Sequence, residues 1–188
     1  MRLRDIPNLL SVVRMACAIP VAWLLLHDYF GVALLICIAA GISDGLDGYL
    51  AKRFGWRSRL GSILDPLADK ALLVTVYLVL GAMNLLPLWL VAVVITRDVV
   101  VVSGAFGIHM LVGRYDIAPS IASKLNTALQ LILVGAVISG KSFATLPGWL
   151  IDVLTYSVLA ATVWSGVDYV WSWGLQAVRL RSAPSSRK

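Results

Sequence analysis

The sequence predicts an all-α integral membrane protein with six transmembrane helices and with both termini in the cytoplasm. Of its 188 residues, 60% are hydrophobic and 14% are charged, whereas soluble domains average about 45–50% apolar and about 25% charged residues. The mean hydropathy is +0.87, and the apolar residues form six stretches near the ~20 residues that a helix needs to cross a bilayer. Basic residues cluster on alternate connections between these stretches. An ordinary soluble domain is excluded.

Each predicted span is bounded by residues that suit the end of a membrane helix. The first is interrupted by Arg14 and lacks a convincing cleavage site, so it is not predicted to be a signal peptide. The second ends, and the third begins, with a pair of aspartates. Trp89 lies near the start of the fourth, Lys124 near the start of the fifth and Trp149 near the start of the sixth, as expected of interfacial residues. The six spans cover residues 8–27, 31–51, 62–81, 86–112, 120–139 and 147–173.

The spans leave room only for short loops and two polar tails, because six helices at about 20 residues each take most of the chain. We therefore expect a single membrane domain over residues 1–178 and a basic polar tail over residues 179–188.

Basic residues predict the orientation, because Lys and Arg are enriched in cytoplasmic loops. One side of the membrane would hold only Lys141. The other side would hold Arg2, Arg4, Lys52, Arg53, Arg57, Arg59, Arg114, Lys124, Arg179, Arg181, Arg187 and Lys188. Both termini are thus expected in the cytoplasm. We expect the protein to lie in a bacterial inner membrane. Sixteen Lys and Arg minus ten Asp give a net charge of +6, which in so apolar a chain indicates anionic lipid as the partner and not nucleic acid.

Four aspartates at the facing ends of the second and third spans are the most informative residues. The chain contains no Glu, although Glu is common on solvent-exposed helical surfaces. Its aspartates are therefore not explained as ordinary surface residues. Asp44 and Asp47 are spaced i, i+3, and Asp65 and Asp69 are spaced i, i+4, so each pair projects from one face of its helix. Consecutive helices with a short connection usually pack side by side. The four carboxylates can therefore converge near the cytoplasmic face.

Such a cluster needs compensating positive charge. Two carboxylates about 4 Å apart repel by about 4 kcal/mol at an effective dielectric near 20. Protonation, Arg or Lys partners, or divalent cations could offset this. Carboxylate oxygens suit Mg²⁺ or Mn²⁺, and Mg²⁺ favours sites completed by water and substrate phosphates. A metal site that binds a diphosphate is therefore predicted.

Three other interpretations of the aspartates stay open. They could be structural, with Asp65 and Asp69 paired to Lys70 or Arg97. They could belong to an intramembrane prenyltransferase, although such enzymes need about nine spans. A cation channel or transporter is a third alternative, but its acids should line a path across the bilayer, whereas these four lie near one face.

The segment 44–69 resembles the signature of the CDP-alcohol phosphotransferase (CDP-alcohol phosphatidyltransferase) family, D-x2-D-G-x2-A-R-x8–9-G-x3-D-x3-D. Seven of the eight fixed positions match in register, and Lys52 stands where the family has Arg. This change keeps the charge but loses the bidentate fork of Arg. The opening residues IPNLLSVVRMACAIPVAWLL resemble the glycerophospholipid branch, which contains phosphatidylglycerophosphate synthases and cardiolipin synthases of mitochondrial type. TRDVVVVSGAF and PSIASKLNTALQLILV are more similar to the latter. The matching residues are Asp44, Asp47, Gly48, Ala51, Gly61, Asp65 and Asp69.

The resemblance implies transfer of a phosphatidyl group from CDP-diacylglycerol to an alcohol, with release of CMP. It implies that Asp44, Asp47 and Asp65 hold two Mg²⁺ or Mn²⁺ ions on the diphosphate and that Asp69, the fourth residue of the metal site, is also the general base. The expected acceptor is phosphatidylglycerol, giving cardiolipin, and the alternative is glycerol 3-phosphate. A homodimer is also implied. The nucleotide pocket would be lined by Gly48, Ala51, Lys52 and Gly61.

Either acceptor carries a phosphate, so its pocket should be positively charged. Arg97 and Lys124 are the candidates, with Ser123 and Asn126 as polar neighbours. Alternatively, Arg97 pairs with Asp98 or with the aspartate cluster, and Lys124 only snorkels to the interface. Arg57 and Arg59 could hold diphosphate or set the topology, and the sequence does not decide between these roles.

Overall fold

Each predicted span forms one α-helix in the structure, which is a computed structural model. It describes residues 6–54, 61–112, 121–143 and 146–182, and their side chains at 10–43, 68, 70–104, 121–143 and 146–169. Within these ranges all regular structure is helical. The helices are α1 (Ile6–Leu26), α2 (Phe30–Phe54), α3 (Gly61–Ala82), α4 (Leu88–Val112), α5 (Ile121–Ser142) and α6 (Gly148–Ser182).

The predicted helices are thus confirmed, and most of their predicted ends lie within about three residues of the observed ones, as is usual for helix boundaries. The exception is the end of α6, which continues past residue 173 to Ser182. Its last turns carry Arg179 and Arg181, so this helix extends beyond its apolar run. The prediction of six membrane spans is a separate matter, because helix formation alone does not establish it.

Two helices end at a residue with left-handed backbone conformation. Asp28 follows α1 with φ 63°, and Asn84 follows α3 with φ 57°. In both cases the N–H of the next residue donates to the carbonyl five residues earlier, at 2.9 Å. This is the Schellman pattern, which satisfies carbonyls that the helix end would leave unpaired. Asp and Asn tolerate the left-handed region better than other non-glycine residues, so both turns have suitable residues.

The chain divides into two compact units. Unit 1 comprises Met1–Val91 and Val134–Ile151, and unit 2 comprises Ala92–Leu133 and Asp152–Lys188. The aspartate-bearing helices α2 and α3 belong to unit 1, whereas Arg97 and Lys124 belong to unit 2.

In unit 1, α1 packs against both α2 and α3. Val21, Tyr77 and Leu80 are among its fully buried side chains. Close backbone approaches occur where side chains are absent: a Cβ at Gly31 would lie 2.8 Å from Ser142 Oγ, and one at Gly81 would lie 2.9 Å from Val91 Cγ2. These two glycines therefore allow contacts that a larger residue would prevent.

Among its described residues, unit 2 buries several polar side chains and exposes several large apolar ones. Ile121, Trp164 and Val167 are exposed by 85%, 74% and 62%. The buried polar side chains are Arg97, Asp98, Asn126, Gln130, Thr155, Thr162 and Ser165. This distribution suits a lipid environment, where exposed apolar groups carry no penalty and polar groups must bond to one another. Among the described residues, Ile121–Ser142 and Gly148–Tyr169 are long and apolar enough to cross a membrane.

Candidate active site

The backbone places all four predicted carboxylate residues on helices. Asp44 and Asp47 lie in the C-terminal half of α2, and Asp65 and Asp69 lie in the N-terminal half of α3. The i, i+3 and i, i+4 spacings are therefore helical, as the sequence predicts. The four side chains lie outside the described residues, so their convergence stays a prediction.

The helical register relates the aspartates to the buried faces of α2 and α3. Ala33 and Ala40 are buried in α2, and positions 44 and 47 follow Ala40 at i+4 and i+7, on the same side of the helix. In α3, Leu73 and Val76 are buried, and they follow position 69 at i+4 and i+7. The register positions of both pairs thus continue the buried sides of two helices that each pack against α1.

A charged residue of α1 is a further candidate that the sequence reasoning missed. Arg14 is only 4% exposed, and Ser11, one turn earlier, is fully buried. Arg14 attracts notice in the sequence only because it interrupts an apolar run, and intramembrane charges are functional candidates by default. Its helix packs against both aspartate-bearing helices, so it belongs to the same unit as the predicted metal site.

The donor set fits the predicted metals. Four carboxylates on two consecutive helices offer only oxygen ligands, which Mg²⁺ and Mn²⁺ prefer. No group of three or more His, Cys, Asp or Glu that could hold a metal occurs among the described side chains. The metal site at the aspartates of α2 and α3 stays a prediction.

The predicted nucleotide-binding residues accompany the aspartates along the backbone. Gly48, Ala51 and Lys52 lie in the last two turns of α2, and Gly61 is the first residue of α3. Their side-chain surroundings lie outside the described residues, as do Arg57 and Arg59 altogether. Their proposed roles therefore rest on the motif.

Arg97 is one of the buried polar side chains of unit 2, and it contacts two others, Asp98 and Ser165. It is 7% exposed, and its Nη1 donates to Asp98 Oδ1 at 2.9 Å in a buried ion pair. Its Nη2 donates to Ser123 Oγ of α5 at 3.0 Å and to Ser165 Oγ of α6. Its Cζ lies 5.6 Å from the ring centroid of Tyr169, within the range of a cation–π interaction. One guanidinium thus connects three helices.

A second polar contact lies one helical turn away. Thr162 of α6 donates from its hydroxyl to Asn126 Oδ1 of α5 at 2.8 Å, and both residues are buried. Ser123 and Asn126 are three residues apart on α5, and Thr162 and Ser165 are three apart on α6, so the two contacts lie on the same faces. Together they form a polar seam between α5 and α6, whose α6 members the sequence reasoning did not identify.

Lys124 differs from Arg97 in its environment. It lies in the first turn of α5 and is exposed. Of the two residues predicted to bind the acceptor phosphate, Lys124 is therefore accessible to a ligand. Arg97 instead pairs with Asp98, which was the alternative given for it. Ser123 and Asn126, predicted as polar neighbours, both take part in the polar seam.

Comparisons with known proteins find one matching family model and several similar sequences. A family model described as CDP-alcohol phosphatidyltransferase matches residues 4–167. Cardiolipin synthase (CMP-forming) of Rattus norvegicus is 33% identical over 191 residues, which cover 93% of this chain and 63% of that protein. The chloroplastic CDP-diacylglycerol–glycerol-3-phosphate 3-phosphatidyltransferase 1 of Oryza sativa subsp. japonica is 34% identical over 186 residues, covering 89% and 56%. A putative cardiolipin synthase of Mycobacterium tuberculosis is 31% identical over 190 residues, covering 95% and 84%. The chain thus spans under two thirds of the rat and rice proteins but most of the mycobacterial one.

Proposed function

The chain belongs to the CDP-alcohol phosphatidyltransferase family, and on that premise we propose that it transfers a phosphatidyl group from CDP-diacylglycerol to phosphatidylglycerol. The products are cardiolipin and CMP. The observation that carries this proposal is the match of the family model over residues 4–167, joined with the complete set of four motif aspartates on α2 and α3. Relatives named cardiolipin synthase at 31–33% identity support the acceptor.

We propose that the protein is embedded in a bacterial inner membrane by six spans, with both termini and the active site on the cytoplasmic side, as a homodimer. The exposed apolar and buried polar side chains of unit 2 support the embedding. The one-sided distribution of Lys and Arg supports the orientation. Cysteine labelling near Lys141 from outside intact cells, with a cysteine in the 179–188 tail as the protected control, tests the orientation. Labelling of the tail alone would contradict it.

Asp44, Asp47 and Asp65 would hold Mg²⁺ or Mn²⁺, two ions in all, with Asp69 close to them. When bound, the metals would neutralise the charge of the diphosphate and of the leaving CMP. Gly48, Ala51, Lys52 and Gly61 would line the nucleotide pocket, where small residues allow a ligand to approach the backbone closely. Lys52 would add positive charge beside the phosphates.

Asp69 would act as the general base. A hydroxyl oxygen of the acceptor attacks the phosphorus of the phosphatidyl group, and a new P–O bond forms. The P–O bond to the CMP phosphate breaks, and its electron pair leaves with CMP. Asp69 takes the proton that the hydroxyl loses, which makes the oxygen a better nucleophile as the new bond forms.

The acceptor phosphate would be bound in a positively charged pocket to which Lys124 and Arg97 contribute. Lys124 is exposed in the first turn of α5, where it can reach an interfacial phosphate. Arg97 contributes from a buried position, through its hydrogen bond to Ser123 of the same turn.

Glycerol 3-phosphate is the second candidate acceptor, because the rice relative named for that substrate is as similar to this chain as the cardiolipin synthases are. The two acceptors are distinguished by CMP release from CDP-diacylglycerol and Mg²⁺ or Mn²⁺ by the purified protein, with each acceptor in a separate reaction. Release with phosphatidylglycerol alone is the expected result. CMP release with glycerol 3-phosphate alone would replace the first candidate by the second. No CMP release with either acceptor would exclude both.

A further inference from the structure

We propose that Arg97 is a positioning residue, which fixes the first turn of α5 through Ser123 and thereby orients Lys124, without itself touching the acceptor. This inference rests on the proposed function, because it assigns the contact with the acceptor phosphate to Lys124. It states how the buried Arg97 of unit 2 can affect binding of the acceptor without contacting it.

The hydrogen-bonding of Arg97 is directed at the protein. The guanidinium has five N–H donors in a planar fork. Nη1 donates to Asp98 on the same helix, and Nη2 donates to hydroxyls of two further helices, at Ser123 and Ser165. The side-chain stem runs past Gly166, where a Cβ would lie 3.8 Å from Arg97 Cγ. Both terminal nitrogens of the side chain are therefore bonded to protein oxygens, whereas Nε is buried without a partner.

The charge of Arg97 is also compensated. The side chains of Arg97 and Asp98 are each 5% exposed, and they form an ion pair at 2.9 Å. An acceptor phosphate that bound Arg97 directly would approach this carboxylate and would be repelled by it. Lys124, in contrast, is exposed. The electrostatic arrangement thus favours Lys124 as the group that meets the phosphate.

Arg97 connects to Lys124 through the start of α5. Backbone N–H groups in the first turn of a helix have no partner within the helix, and such turns fray. The bond to Ser123 attaches this turn to α4, and the bond between Thr162 and Asn126 attaches the next turn to α6. Two attachments one turn apart fix the rotation of α5 about its axis. Lys124 follows Ser123 directly, so its direction is fixed with it.

A double-mutant cycle on the acceptor KM tests this inference. Ser123→Ala, which cuts the link between Arg97 and α5, should raise the KM for the acceptor about tenfold and change kcat by less than about twofold. In a Lys124→Ala background, the same substitution should change the KM by less than about twofold, because its effect passes through Lys124. If Arg97 touched the phosphate, the two substitutions would multiply, and this result would overturn the inference.

Two control variants separate positioning from general loss of structure. Ser165→Ala also removes a hydroxyl from Arg97 but leaves the bond to Ser123, so it should raise the acceptor KM less than Ser123→Ala does. Ser157→Ala removes a hydroxyl of α6 that donates to the Val153 carbonyl of the same helix and should leave kcat and the acceptor KM unchanged. An equal rise in all three variants, or an equal rise in the KM for CDP-diacylglycerol, would overturn the inference.

Hydrogen exchange gives a readout that does not depend on turnover. Ser123→Ala should accelerate exchange of the amides in the second turn of α5, which donate to the carbonyls of the first turn, and Ser165→Ala should not. Unchanged exchange in Ser123→Ala would overturn the inference while leaving the proposed function intact. Absence of CMP release by the wild-type protein with every acceptor would instead overturn the proposed function, and the inference with it.

Discussion

The buried ion pair between Arg97 and Asp98 leads to a quantitative prediction for Asp98→Asn. The substitution keeps an oxygen that can accept from Arg97 Nη1, removes the negative charge and replaces the other carboxylate oxygen by an NH2 group. Both side chains are 5% exposed, so solvent screens the pair weakly. Removing one partner of a buried pair costs about 3–5 kcal/mol, and the neutral hydrogen bond that remains recovers about 0.5–1.5 kcal/mol. We expect a net loss of about 2–4 kcal/mol.

This loss is measurable as a fall in Tm. For chains of 150–250 residues, 1 kcal/mol corresponds to about 2–4 °C, so Asp98→Asn should lower Tm by roughly 4–16 °C. The assay is thermal unfolding of the purified protein in detergent, followed by circular dichroism. Asp152→Asn is the matched control, because Asp152 is an exposed aspartate of α6 in the same unit, and surface substitutions shift stability by about 0.5 kcal/mol or less. Equal Tm values for the two variants would refute the ion pair as a stabilising contact.

Three further predictions concern packing, the polar seam and the chemistry. Gly81→Ala should destabilise the protein by about 1–3 kcal/mol through overpacking, because the new Cβ would lie 2.9 Å from Val91 Cγ2. Gly135→Ala is the control, because its Cβ would meet nothing within 4 Å. Equal Tm values for the two variants would contradict the close approach at Gly81. Thr162→Val should cost about 1 kcal/mol through the loss of a buried hydrogen bond, and a Tm at or above that of the wild type would show that this bond does not stabilise unit 2. Asp69→Asn should abolish CMP release while leaving metal-dependent binding of CDP-diacylglycerol largely intact, and retained turnover would exclude Asp69 as the base.

The helices were predictable from sequence because apolar run length is a strong local signal in a chain of this composition. The end of α6 was not, since hydropathy marks the apolar run and not the helix that continues through Arg179 and Arg181 to Ser182. The left-handed turns at Asp28 and Asn84 were also not predicted, although both residue types favour such turns.

The polar contacts of unit 2 were predictable only in part. Pairing of Arg97 with Asp98 was one of the open alternatives, because the two residues are adjacent in the chain. The partners Ser123 and Ser165 lie 26 and 68 residues away, and their proximity depends on how three helices pack. The sequence shows that a serine lies within an apolar helix, but it does not show which charged residue the serine contacts.

The central claim is that the motif aspartates catalyse transfer of a phosphatidyl group to phosphatidylglycerol. The most direct test is mass-spectrometric detection of cardiolipin after purified protein is supplied with CDP-diacylglycerol, isotopically labelled phosphatidylglycerol and Mg²⁺ or Mn²⁺. The account predicts cardiolipin that carries the label, in an amount equal to the CMP released, with the wild-type protein and not with Asp69→Asn. CMP release without labelled cardiolipin, or equal labelled product from both proteins, would contradict it.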